Sequence, residues 1–195
     1  MRITSGTRRG FLIRGATSGP EVRPTSALVR EALFAILGER IDGALVLDLF
    51  AGSGALGIEA LSRGASKCVF VEKSPQAVRL IRQNLEKTRF KEQAIVICSD
   101  IFRSSGRIRS LSLPFQIVLI DPPYRMSERI APGEKIFDLL VRLAGEEILA
   151  EGGLLVLQHD RRSQVAEVIP LYGRADRRTY GDTTLTFLRR DSSGG

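Results

Sequence analysis

Cysteine and histidine are scarce in this chain of 195 residues, which holds two of the former and one of the latter. Cys68 and Cys98 fall in separate predicted strands without the close spacing of metal ligands, and His159 has no ligating neighbour in sequence. No metal centre is therefore expected, and both thiols are expected to be buried. Long apolar runs are missing too. None approaches the ~20 residues that a membrane helix requires. Met1-Arg2-Ile3-Thr4 opens no signal-peptide core, so the expectation is a cytoplasmic protein with no membrane partner. Acidic residues are in deficit, with 22 Asp and Glu against 29 Lys and Arg.

That deficit gives a net charge of +7 and a pI near 10.0, which favours a polyanionic partner over a merely soluble basic surface. The bias is strongest near the start, where Arg2, Arg8, Arg9, Arg14, Arg23 and Arg30 face only Glu21 and Glu31. A guanidinium suits bidentate phosphate contacts, so Arg2, Arg8, Arg9, Arg23 and Arg30 are candidate nucleic-acid ligands. The arginine pairs at 161/162, 177/178 and 189/190 are either an extension of that footprint or solvated ends. With 43% hydrophobic and 26% charged residues the composition is that of a globular protein. A chain of this length buries roughly 70% of its unfolded surface.

Along the chain, residues 1–23 are polar, basic and rich in glycine and read as an extended arm packed on the core. Pro24 suits the first turn of a helix over about Thr25 to Leu37. Val29, Ala32, Leu33, Ile36 and Leu37 form its packed stripe, while Phe34 is either packing or a lip over a cleft. The run 44–49 reads as a buried strand, leading into Phe50-Ala51-Gly52-Ser53-Gly54-Ala55-Leu56-Gly57 and a helix. The strand 67–71 ends at Glu72. A helix opened by Ser74 and Pro75 turns Val78, Ile81 and Leu85 inward. A strand over 94–98 leads to Asp100. Residues 104–113 support at most a short helix, and 125–133 a polar loop able to close over a substrate. A helix over Glu134 to Leu149 is stopped by Gly152-Gly153. A strand over 154–157 follows, then a hairpin of 174–180 and 183–190 around Gly181-Asp182. Alternation of this kind predicts an α/β domain over 24–190: a doubly wound, mostly parallel Rossmann-like sheet with an antiparallel C-terminal hairpin and a frayed tail, 191–195.

Three features carry chemistry. Glycines at 52, 54 and 57 let the chain turn tightly and let backbone approach a ligand. Glu72 follows Gly52 at the spacing by which a Rossmann-type site sets a carboxylate beside ribose hydroxyls. Alone, the glycine pattern also fits a nicotinamide enzyme. However, Asp48 at the end of its strand would repel a pyrophosphate and attract the cationic amino-acid part of S-adenosylmethionine. Asp100 is either an acceptor for an adenine amine or a helix cap. The third feature is Asp121-Pro122-Pro123-Tyr124, which ends the apolar run 115–120. Two prolines remove two N–H donors and leave carbonyls, and Asp121 adds acceptors. Such an edge suits a planar amine, with Tyr124 as a stacking face. The plainer reading is a strand stop with Tyr124 filling space.

In this order and spacing, Asp48-Leu49-Phe50-Ala51-Gly52-Ser53-Gly54, Glu72, Asp100 and Asp121-Pro122-Pro123-Tyr124 resemble the class I S-adenosylmethionine-dependent amino-group methyltransferases. The opening Arg2-Ile3-x-Ser5-Gly6, with Arg23-Pro24-Thr25-Ser26 and Val29-Arg30-Glu31-x-Leu33-Phe34, resembles the bacterial RsmD family. A Tyr at 124, where that family more readily has Phe, is the one departure. The resemblance implies S-adenosylmethionine held by Asp48, Phe50, Gly52, Gly54, Glu72, Asp100 and Ile101, with chemistry at Asp121, Pro122, Pro123 and Tyr124. It implies a monomer that methylates the N2 amine of a guanine in small-subunit ribosomal RNA, within an assembled subunit. The Asp-Pro-Pro-Tyr motif is shared with adenine-N6 methyltransferases of DNA or RNA, and a non-catalytic RNA-binding assembly factor is a further alternative.

Overall fold

A computed structural model of the chain describes residues 1–15 and 26–192. The fold class is α/β with a large, mostly parallel sheet. The chain divides into two compact units, Met1–Ile101 and Phe102–Gly195.

In the first unit, residues 1–13 fold as an antiparallel arm: Ile3 N donates to Phe11 O at 2.9 Å and Ile13 N to Met1 O at 2.8 Å. Ile3 and Ile13 are buried by that pairing. The arm over residues 1–23 was expected; Arg23, Pro24 and Thr25 lie outside the described residues. Helix α1 (Ala27–Leu37) begins after Ser26, whose hydroxyl accepts from Val29 N at 3.2 Å. It buries Val29, Leu33, Phe34 and Leu37. Phe34 is therefore core, and the Arg63 guanidinium lies 4.9 Å from its ring centre.

The rest of this unit is β1 (Leu45–Leu49), α2 (Ala55–Ser62), β2 (Lys67–Glu72), α3 (Pro75–Thr88) and β3 (Ala94–Cys98). β2 pairs in parallel with both β1 and β3. Val46, Leu47, Leu49, Val69, Phe70 and Val71 are each 0% exposed, as the unbroken apolar runs require of a strand covered on both faces. Each contributes ~1.5–3 kcal/mol of burial. β3 ends the strand order and is only half covered. For that reason Cys98 is exposed while Cys68 is buried, which corrects the expectation of two buried thiols.

The second unit holds α4 (Ser105–Arg109), β4 (Phe115–Ile120), α5 (Tyr124–Ser127), β5 (Arg129–Ile130), α6 (Lys135–Gly145), β6 (Leu149–Asp160), β7 (Gln164–Val165), β8 (Asp176–Tyr180) and β9 (Thr183–Arg189). β4 and β6 are parallel, whereas β6–β9 and β9–β8 are antiparallel. The terminal hairpin is as expected, with Gly181 at φ +61° supplying its turn. Two boundaries move. The helix expected to reach Leu149 ends at Gly145, and Glu147 turns the chain at φ +58°. Gly152 and Gly153 lie inside β6, where the register against β4 jumps from Phe115↔Leu149 to Ile117↔Leu154. The glycines mark a bulge instead of a helix stop. The segment 125–133, expected to be a polar loop able to close over a substrate, is tethered as well. β5 pairs with β7, and Ile130 is 0% exposed.

Candidate functional site

The glycine turn of the first unit is built from three glycines with three different jobs. At Gly52 the backbone has φ +55°, and an added Cβ would meet only Phe50 O, at 3.9 Å. The turn is thus open on that side. Gly54, at φ +78°, caps α2, and a Cβ there would press on Ile58 and Ile81 at 3.4 Å. At Gly57 a Cβ would overlap the Phe70 ring and the Cys68 sulfur, so its absence lets α2 lie on β2. Phe50, a non-glycine residue, also has positive φ (+59°), a conformation that concentrates at functional sites.

Glu72 closes this turn. One carboxylate oxygen accepts from Gly52 N at 3.0 Å and the other from Ser74 N at 2.9 Å. Ser74 then caps α3 through Ala77 N at 3.3 Å. A carboxylate offers about four acceptor sites, so Glu72 keeps capacity for two hydroxyl donors beside an open glycine. This acceptor set fits a ribose. Ser99 N donates to Glu72 O at 3.0 Å, which brings the exposed Asp100 to the end of β2; Ile101 behind it is 3% exposed. Asp48 behaves differently from expectation. It is 1% exposed, and its Oδ2 accepts from Gly57 N at 2.9 Å inside α2. It holds the first turn of the helix from behind the glycine turn.

In the second unit, Asp121-Pro122-Pro123-Tyr124 follows β4 directly. Pro122 is buried, Asp121 and Tyr124 are half-buried and Pro123 is exposed. The Pro123 carbonyl accepts from Met126 N at 2.9 Å and starts α5, which fixes the backbone from which Tyr124 projects.

The basic candidates separate. Arg2 and Arg9 are exposed and line a groove of about 500 Å³ between the arm and α1, with Arg30 and Glu31 on its other wall. Arg8 is half-buried, donates to Thr88 O at 2.8 Å and lies over the Phe11 and Phe90 rings at 5.9 and 5.5 Å. Arg30, expected at a nucleic-acid surface, is 3% exposed. It donates to Arg2 O at 2.7 Å and faces Glu59 at 3.5 Å. Burial lowers its pKa, and Glu59 opposes that shift. Arg190 is likewise turned inward, onto Leu149 O.

Two residues that sequence patterning passed over hold the arm. Glu59 is 1% exposed within α2, and accepts from Thr4 N (2.9 Å), Thr4 Oγ1 (2.6 Å), Ser5 N (3.1 Å) and Arg63 Nε (2.9 Å). Asn84, 1% exposed on α3, bonds Arg14 and Ser53. The available signal was the same for both: a polar residue at a position where the helical stripe turns inward.

Comparison with known proteins places these features in context. The family model described as conserved hypothetical protein 95 matches residues 1–189. The Bacillus subtilis protein YlbH, which carries the provisional name of an rRNA methyltransferase, is 33% identical over 97% of this chain and 99% of its own. Ribosomal RNA small subunit methyltransferase D of Escherichia coli K12 is 36% identical over 125 residues, which are 64% of this chain and 61% of that protein. Among solved structures, the Escherichia coli protein yhhF, provisionally named a methyltransferase, superposes with a TM-score of 0.78 at 28% identity, covering 98% of both chains.

Proposed function

The chain belongs to the RsmD family, and from that premise we propose that it is an S-adenosylmethionine-dependent enzyme that methylates the exocyclic N2 amine of a guanine in small-subunit ribosomal RNA. The observation that carries the reading is the acceptor-rich notch directly after β4, where residues 122 and 123 have no amide N–H and Asp121 supplies a carboxylate. Relatives named for small-subunit rRNA methylation support it.

S-adenosylmethionine supplies, when bound, a methyl group activated by a sulfonium. Glu72 would accept the ribose hydroxyls, Gly52 would give backbone access, and Phe50, Asp100 and Ile101 would border the nucleoside. Asp48 acts from behind by fixing Gly57 and with it the start of α2. On the substrate side the task is positional. A guanine amine is conjugated with its ring and weakly nucleophilic. Asp121 and the Pro122 carbonyl accept from its two N–H groups and aim the nitrogen lone pair, while Tyr124 stacks on the base. Alignment at reacting distance supplies ~7–11 kcal/mol of barrier lowering. Methyl transfer would leave the amine nitrogen acidic, and Asp121 or water would take its proton. The base is turned out of its stack to reach the notch, which costs least in an RNA loop. Arg2 and Arg9 hold phosphates at the rim of the arm groove, and the substrate is an assembled small subunit.

The test is incubation with labelled S-adenosylmethionine and small subunits from a strain lacking this enzyme, then mass spectrometry of the RNA. One new guanine-N2 methyl group is expected. Label on an adenine, on duplex DNA or on no nucleic acid refutes the proposal.

A further inference from the structure

We infer that Asn84 is a positioning residue that couples the N-terminal arm to the glycine turn, so that ordering of the arm and binding at the turn reinforce each other. This rests on reading the turn at 52–54 as the cofactor turn. The side-chain amide of Asn84 makes three hydrogen bonds, divided between two segments. Nδ2 donates to Arg14 O and to Ser53 O, both at 2.9 Å, and Oδ1 accepts from Arg14 N at 2.9 Å. Ser53 sits between Gly52 and Gly54, so this contact holds the centre of the turn. Arg14 is the penultimate described residue of the arm.

A buried amide is costly unless its bonds are made, and a leucine would fill this place on the inward stripe of α3 without that demand. What an apolar side chain cannot do is satisfy carbonyls from two segments at once. The same face of α3 grips the arm a second time, one turn on: Arg8 Nε donates to Thr88 O at 2.8 Å. The turn also rests on this helix, because Ile81 lies 3.4 Å from where a Gly54 Cβ would be. A helix contacting both segments through one side chain is a two-way link. If turn occupancy stabilises Ser53, it stabilises Arg14, and linkage requires the reverse by the same factor.

The experiment uses the full chain and S-adenosylhomocysteine as probe. In the unmodified protein, saturating probe is expected to slow amide hydrogen exchange at Ile3, Gly10, Ile13 and Arg14 by roughly fivefold or more, the lower range of coupling between sites. Asn84→Asp, nearly the same shape but lacking both donors, is expected to bind the probe roughly tenfold more weakly, the scale of one lost bond to a buried group. Its arm exchange should no longer respond. Gly6→Ala keeps Asn84 and unseats the arm, because a Cβ at φ +79° would overlap the Ser62 carbonyl; severalfold weaker probe binding is expected. Probe bound by the unmodified protein without a change at the arm, a surviving arm response in Asn84→Asp, or full probe affinity in Gly6→Ala overturns the coupling and leaves the proposed function standing. No probe binding to the unmodified protein overturns the cofactor reading itself, and this inference with it.

Discussion

Removing the Glu59 carboxylate tests how the arm is held. The carboxylate is 1% exposed and receives four hydrogen bonds, two of them from the backbone of Thr4 and Ser5. It also neutralises Arg30, itself 3% exposed, at an ion-pair distance of 3.5 Å but outside hydrogen-bond geometry for Arg30 Nε. Glu59→Ala therefore strands a buried guanidinium and two backbone donors. Breaking a buried pair from one side costs roughly 3–5 kcal/mol, a fifth or more of the ~5–15 kcal/mol that holds a typical domain. The expected result in guanidinium titration is a loss of that size, with Tm lower by roughly 6–20 °C. The double variant Glu59→Ala, Arg30→Met should be more stable than Glu59→Ala alone, because the uncompensated charge has gone. A loss below ~1 kcal/mol, as for a solvent-screened surface pair, or no recovery in the double variant, refutes the account of Glu59 as the anchor.

Four other outcomes follow from the same geometry. Asp121→Ala should reduce methyl transfer by at least ~100-fold, the scale of one lost transition-state contact, with S-adenosylhomocysteine affinity unchanged in calorimetry; joint loss of both contradicts its assigned role. Glu72→Ala should weaken that affinity by ~1.5–3 kcal/mol, since the ribose acceptor and the clamp on Gly52 go together. His159 donates from Nδ1 to Asp160 O and bonds Thr186 Oγ1 through Nε2, each at 2.8 Å. Burial lowers its pKa from 6.5, assisted by Arg177 and opposed by Asp160, so the unfolded chain takes up the proton first. Stability should fall as pH drops below about 6.5 towards the folded value, and His159→Gln should flatten the urea midpoint over that window. With burial and then Asp48 raising the pKa of Cys68, a thiol reagent should label Cys98 alone in the folded protein and both cysteines in denaturant; two labels without denaturant contradict this.

What could be read from the sequence was what local spacing encodes. Unbroken aliphatic runs mark β1, β2 and β4, the 3.6-residue stripe marks α3, and Gly181-Asp182 marks the hairpin, because each depends on neighbours a few residues away. The misreadings share a cause. Gly152-Gly153 fits a helix stop and a strand bulge equally, and only the pairing of β6 with β4 decides between them. Cys98 ends an apolar run like a core residue, yet exposure on β3 is set by what lies beside the strand. Arg30 was counted as surface charge because arginine is rarely buried unless paired, and its partner Glu59 is in another helix. Glu59 meets Thr4 across 55 positions and Asn84 meets Arg14 across 70, separations at which periodicity carries no information. Yet each is a polar residue on a buried helix face that packing would otherwise fill with aliphatics, as are Ser62 and Thr88 beside them. A buried polar group survives there only if another segment brings its partners. Such interruptions therefore signal that a distant segment docks at that point, even though they do not say which one. Read in that way, Glu59 and Asn84 point to the arm as an integral part of the first unit, held from α2 and α3 and joined to the glycine turn through Ser53.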